Sequence, residues 1–534
     1  MNCIQEFLKL IPIYIVAILA VITISCGGVS SGEPPTPVSV PTITQPSLLP
    51  LKLAEIVTPT PLPPSPTPPL GIQTEAKPIA TTPGYKPETN MYRFFSRPNH
   101  PVSVALDGLD KAMSNKDVSQ VPIILEVMRF FPSEKFQQAV QEALQLLTGQ
   151  PPETEEWDWD RWMIWLWKNS AKYEVPDGYL TWKSLLLKGI DKRYGEFLSP
   201  DSKISQDLLL TELIWGGIPP DQTPPLVDPD VITVAEADYL LPSDRVFGIS
   251  INGEQRAYPL RITNTHEIVN DTLGGQPIVL TQCVLCGSGV AYSSSVNGRR
   301  TNFGTSGLIY RSNTVVYDLN NRTLWLQFSG IPIAGNATSF TNELPRIPVV
   351  ITTWEEWISL HPNTTVLSIL NDIFPPSAYP PEDTPGSPLE IYLAQDETIF
   401  PVWLVSDALG PKETILGVRL SGVEKSYPVR TLQKLLVVND QLGETNIAII
   451  ASPKTEAARV YNRGQIKLSL LEGNSSETVP SQVIDGNGGM WEVTEEALIS
   501  IDDPNRKLPR LPGQIAFWFA WHAFYPNTTL YGDN

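Results

Sequence analysis

The sequence predicts an α+β protein: an N-terminal helical region followed by two tandem, diverged, strand-rich α+β repeats. Three observations carry that expectation. Phe136, Val140, Ala143 and Leu147 recur at helical spacing in the first third of the chain. Further on, short apolar runs punctuated by Gly turns read as strands, as in Val246 to Ile251 before Asn252-Gly253. Finally, the chain matches itself without gaps at a shift of 169 residues: Gly248 faces Gly417, Tyr258-Pro259 faces Tyr427-Pro428, and N-D-T-L-G at 270–274 faces N-D-Q-L-G at 439–443.

In chain order, residues 1–25 read as a signal peptide. The apolar run from Ile11 to Ile24 is too short to span a bilayer comfortably and fits a signal h-region. It ends at Thr23-Ile24-Ser25-Cys26-Gly27-Gly28, which resembles a bacterial lipobox, so Cys26 is expected to be lipidated and to become the mature N-terminus. An uncleaved short anchor is the alternative. Either way the protein is expected to be extracytoplasmic and anchored to a bacterial membrane. Residues 26–90 read as a Pro/Thr-rich disordered stalk, since proline fixes φ and removes donors. With 38 Lys and Arg against 57 Asp and Glu, the net charge of −19 repels phosphate backbones and excludes nucleic acid as a partner. The expected membrane contact is therefore the lipid anchor. A protein or small-molecule partner is not readable.

Residues 91–225 form the Trp-rich helical region. A helix is expected from Val121 to Phe131, with Pro122 tolerated in its first turn, and another after Pro132-Ser133, stopped by Gly149. The tryptophans of W-D-W-D-R-W-M-I-W-L-W at 157–167 read as core rather than as a binding platform, because indoles supply large buried area.

Copy one spans 226–370, a connector 371–400 and copy two 401–534. In each copy a hairpin leads to a short helix, clearest at Thr431 to Leu436. More strands follow, and a Trp-containing helix (352–360 in copy one) closes the unit. At a shift of 164, Trp354 and Trp357 face Trp518 and Trp521. Asn270 and Asp271 persist in both copies and read as turn or cap residues.

The chemistry lies where the copies differ. His266 and Glu267 face Leu435 and Leu436, while Cys283 and Cys286 face Ser452 and Thr455. Leu432, Leu435 and Leu436 sit at i, i+3, i+4 and are expected to point inward, which predicts a buried polar group at His266 or Glu267. With Cys3 in the signal peptide and Cys26 lipidated, Cys283 and Cys286 are the free thiols, and with only four His a four-ligand zinc finger lacks ligands. H-E-I-V-N at 266–270 lacks the second His of a zincin. The first reading is a metal site of His266, Glu267, Cys283 and Cys286, holding copper, zinc or iron because thiolate and imidazole are soft or borderline ligands. A Cys283–Cys286 disulfide is the second. Acid–base chemistry by His266 and Glu267 beside a thiolate nucleophile is the third, and a cluster without function the fourth.

These residues resemble the bacterial family called domain of unknown function 3179. The matching motifs are Ala257 to Leu260, His266 to Asp271, Cys283 to Gly287, Phe303 to Gly307, Tyr317-Asp318 and Thr323 to Gln327, with E-L-I-W-G-G-I at 212–218 and T-T-W-E-E-W at 352–357. Val284 replaces a common Pro of that pattern. The resemblance implies no established activity. The expected function is therefore a membrane-anchored lipoprotein with a metal-binding or thiol site, the alternatives being a periplasmic thiol–disulfide protein and a non-catalytic binding module.

Overall fold

A computed structural model describes residues 102–532 apart from 131–132, 151–157, 206–207, 297, 336–342 and 472–477. The signal peptide, the stalk and Cys26 lie outside the described residues. The architecture is mixed α+β. Among the described residues no helix is long and apolar enough to cross a membrane.

Among the described residues six α-helices come first: Val102–Asn115, Val121–Val127, Glu134–Thr148, Trp159–Lys168, Tyr179–Lys188 and Tyr194–Phe197. The third is bounded as its sequence demands. Ser133 accepts from the Phe136 amide, Gly149 takes a left-handed φ of 72°, and Phe136, Val140, Ala143 and Leu147 are buried. Trp167 and Trp182 lie in the core, while Trp159, Trp162 and Trp165 pack half-buried against it. That core does not close on itself. It runs on into Leu308, Tyr310, Val315 and Leu324 of a six-stranded sheet, so the helices are one wall of the following unit.

Residues 245–283 and 414–451 are built in the same order. The hairpin Arg245–Ile251/Glu254–Pro259 leads to the helix Leu260–His266 and the strands Ile268–Leu273 and Gln276–Cys283. The hairpin Thr414–Leu420/Val423–Pro428 leads to the helix Val429–Leu435 and the strands Val437–Leu442 and Thr445–Ala451. Each hairpin is flanked by a later antiparallel strand, Val350–Thr353 or Gln514–Phe517. Each also gains a short parallel strand, Thr365–Leu367 or Thr529–Leu530. Gly248 and Gly417 are required by the closing helices: a Cβ on either would fall inside the indole of Trp357 or Trp521.

Asn270 and Asp271 are neither turn nor cap residues. Both lie inside a strand and are buried, because each clamps neighbouring chain. The Asn270 amide donates to Phe303 O and accepts from Phe303 N, as Asn439 does with Leu468. Asp271 accepts from Tyr258 and Arg256, and Asp440 from Tyr427 and Lys425. The two halves share one apolar core in which Phe247, Ile249 and Leu280 meet Leu416, Val418 and Ile449.

Candidate functional site

Cys283 ends the strand Gln276–Cys283, a single 3-10 turn Val284–Cys286 follows, and Gly287 reverses the chain with a φ of 57°. The turn brings the two Cα atoms to 5.3 Å, and the sulfurs are joined in a disulfide. Both cysteines are fully buried among Phe328, Trp518, Phe519, Ala520 and Trp521. Most of that cover belongs to the far end of the chain, the helix Trp518–Phe524. Phe517 lies over Gly287 so closely that a Cβ there would be 2.6 Å from the ring. The connector contributes as well: Tyr392, in the helix Pro388–Leu393, donates to the Leu285 carbonyl at 2.7 Å.

Inside the cover the surroundings are polar. The hairpin turn Arg311-Ser312 has φ of 51° and 61°, a two-residue turn that usually takes Asn-Gly, and Arg311 is held there by Glu212 at 2.7 Å and by Ala523 O at 2.8 Å. The turn delivers Ser312 O to 3.3 Å from the Cys286 sulfur and 4.0 Å from that of Cys283. The next side chain, Asn313, places Nδ2 3.3 Å from Cys286 Sγ and 2.8 Å from Gln327 Oε1.

The four residues read from the sequence as one ligand set stand in three environments. Cys283 and Cys286 meet each other. His266 ends its helix fully buried, with Nδ1 2.6 Å from Pro224 O and Nε2 2.7 Å from the Tyr379 hydroxyl. A carbonyl only accepts, so Nδ1 carries the proton. Nε2 then accepts from Tyr379, which in turn accepts from Asn371 at 2.8 Å. Burial lowers the imidazole pKa, the Pro224 carbonyl opposing that shift, and the neutral ring is fully satisfied. Glu267 is the left-handed residue that ends the helix, at a φ of 58°. Burial pushes its carboxyl up to about 7, against a weak 3.4 Å hydrogen bond from the Thr314 hydroxyl. Among the described residues no three His, Cys, Asp or Glu side chains gather to hold a metal ion.

Leu435 departs from the inward orientation expected of it. It is 45% exposed, whereas Leu432 and Leu436 are buried. The facing residue His266 is covered because connector residues Phe374 and Tyr379 lie over it. The sequence reading missed Asn313, Gln327 and Tyr379. Gln327 closes the T-L-W-L-Q motif and could have been singled out there. Asn313 and Tyr379 carried no local signal.

The family described as Protein of unknown function (DUF3179) matches residues 220–528, more than half of the chain. No curated protein and no solved structure matches it.

Proposed function

The chain belongs to the DUF3179 family of proteins of unknown function, and from that premise we propose that it is a membrane-anchored extracytoplasmic lipoprotein whose Cys283–Cys286 pair works as a thiol–disulfide site. The observation that carries this reading is where the disulfide sits. It closes a turn of only four residues, Cys283 to Cys286, which in the chain-entropy picture constrains the unfolded state by only about 2 kcal/mol. The facing turn of the second half is shaped without sulfur, since Ser452 Oγ accepts there from the amides of Lys454 and Thr455 at 3.2 Å. Stapling is thus a small reason to keep two cysteines at this place. A disulfide also suits an oxidising compartment, in line with a lipid anchor at Cys26.

We further propose that 226–370 and 401–534 are diverged copies of one unit, joined by 371–400 and preceded by the helical region 91–225. The matched clamps of Asn270 and Asn439, and of Trp357 and Trp521 on Thr364 and Thr528, support that reading. In the second copy the site has been exchanged for hydrogen bonds.

The test is redox titration of the full-length protein against dithiothreitol, with thiols counted at Cys283 and Cys286 and folding followed by near-ultraviolet circular dichroism. Two thiols are expected to appear and disappear reversibly while the tertiary signal persists. Thiols that appear only as the signal is lost would leave the disulfide a structural staple. For the anchor, Cys26→Ala is expected to leave the membrane fraction or to accumulate as precursor. Unchanged processing and fractionation would refute it.

A further inference from the structure

Two side chains and two backbone groups around the disulfide fix the orientation of both amides. Phe328 N–H lies 3.2 Å from Asn313 Oδ1, and an amide N–H only donates, so that oxygen must face it. Thr281 O lies 3.2 Å from Gln327 Nε2, and a carbonyl only accepts, so Gln327 is fixed independently with its Oε1 toward Asn313. The 2.8 Å bond between Asn313 Nδ2 and Gln327 Oε1 then joins a donor to an acceptor, and flipping either amide would oppose like groups twice. The remaining hydrogen of Asn313 Nδ2 is left for Cys286 Sγ at 3.3 Å. Asn313 and Gln327 are buried, so no water competes for these positions. No side-chain donor reaches the Cys283 sulfur among the described residues. Ser312 O, near both sulfurs, opposes negative charge on either and can accept from whichever thiol keeps its proton.

We propose that Asn313, aligned by Gln327, makes the pair asymmetric: Cys286 is the sulfur that leaves as thiolate, and Cys283 the one attacked by an incoming dithiol. This rests on the thiol–disulfide reading of the site. Both sulfurs are buried, so the dithiol reaches them only when the cover of Trp518–Phe524 opens, and one of its thiolates then attacks Cys283 Sγ. A new S–S bond forms as the Cys283–Cys286 bond breaks, and its electron pair goes to Cys286 Sγ, where the Asn313 N–H receives it. The second sulfur of the dithiol gives its proton to solvent and displaces Cys283, closing the dithiol's own disulfide. Cys283 takes a proton, and two electrons have passed from the dithiol to the pair. A hydrogen bond to the charged sulfur makes it the better leaving group, because a leaving thiol of lower pKa departs faster. Asn313 is the catalytic residue of this scheme because it touches the reacting sulfur, and Gln327 is a positioning residue.

The test uses full-length single-cysteine variants Cys283→Ser and Cys286→Ser, which need no reduction, and reads the ultraviolet absorbance of the remaining thiolate against pH, a signal that needs no reagent to reach the buried sulfur. Cys286 is expected to titrate at least one pH unit below Cys283, which is about tenfold more thiolate at a given pH. Asn313→Leu should erase that difference, and the isosteric Asn313→Asp, which sets an acceptor against the sulfur, should reverse it. Gln327→Leu should diminish it, and Gln327→Glu, which keeps an oxygen facing Asn313 but sets a second one against Thr281 O, should diminish it as well. A purely structural role for Gln327 would leave the pH profile unmoved in both. Equal titration of the two thiols overturns the proposal even if the Asn313 variants fail to fold. Resistance of the wild-type pair to dithiothreitol short of unfolding overturns the reading of the site instead, a separate result.

Discussion

The turns at 283–287 and 452–456 stand at facing places in the two halves, and each is covered by the closing helix of the other half. The first lies under Trp518–Phe524, an apolar cover of Phe519, Ala520 and Trp521 over a disulfide. The second lies under Trp354–Leu360, where Glu356 accepts from Ser452 at 2.6 Å, Thr455 at 3.0 Å and Thr352 at 2.7 Å. Beside it a second carboxylate, Glu495, is buried with Arg459 at 2.6 Å, with Arg510 and with His361 at 3.4 Å. Burial alone would raise the Glu495 pKa, but the two guanidinium groups hold it well below the usual carboxylate range. Turns at facing places thus hold either a disulfide under an apolar cover or a buried network of hydrogen bonds and ion pairs without sulfur. The backbone does not require the cysteines, which stand in one half alone.

The largest way to break this comparison is in the second half. Glu495→Leu strands two buried cations, Arg459 and Arg510, and should destabilise the protein by about 3–5 kcal/mol in urea unfolding. A cost no larger than that of losing the disulfide would mean that the network is incidental. Next is Glu267→Gln. The carboxyl is raised to about 7 from an ordinary value of 4.5, so the folded state binds the extra proton and the charged form is penalised as pH rises between those values. The variant should match wild type near pH 4 and be more stable by about 3 kcal/mol at pH 8. Equal stabilities at both pH values would remove Glu267 from the buried acids.

Cys283→Ser with Cys286→Thr, which copies the facing turn, should cost about 2 kcal/mol and leave the fold intact, as the Ser452 turn predicts. Loss of the near-ultraviolet signal in that variant would make the disulfide indispensable to the turn. The smallest effect is expected of His266→Leu, about 1–2 kcal/mol, since Tyr379 and Pro224 O lose their partner. Its sign with pH is opposite to that of Glu267. The folded imidazole pKa is lowered, so the unfolded state takes up the proton first and wild-type stability falls as pH drops below about 6.5, a loss the Leu variant should lack. Zinc uptake by the reduced protein should be the same with and without His266. Weaker uptake in the variant would return the imidazole to the ligand set.

Features set by a few neighbouring residues were legible in the amino-acid order. Ser133 and Gly149 bound a helix because capping is local. Asn252-Gly253 makes the hairpin turn, with φ of 51° and 80°, because that pair tolerates left-handed backbone. The motif C-V-L-C-G closes a tight turn because Gly287 reverses the chain. The self-match at 169 residues located the place where the side chains differ, with Cys283 and Cys286 facing Ser452 and Thr455. The partners of buried groups came from the packed fold. His266 meets Tyr379 across 113 residues, and Asn313 meets the Cys286 sulfur across 27. Periodicity reports which face of an element is buried, but Leu435, the residue facing His266, is exposed, and His266 is buried by the connector instead. Nor does periodicity report which distant side chain will lie against a buried group. That choice follows from how two halves share one core, with each closing helix laid on the other's turn, and from the rule that every buried donor and acceptor there must find a partner.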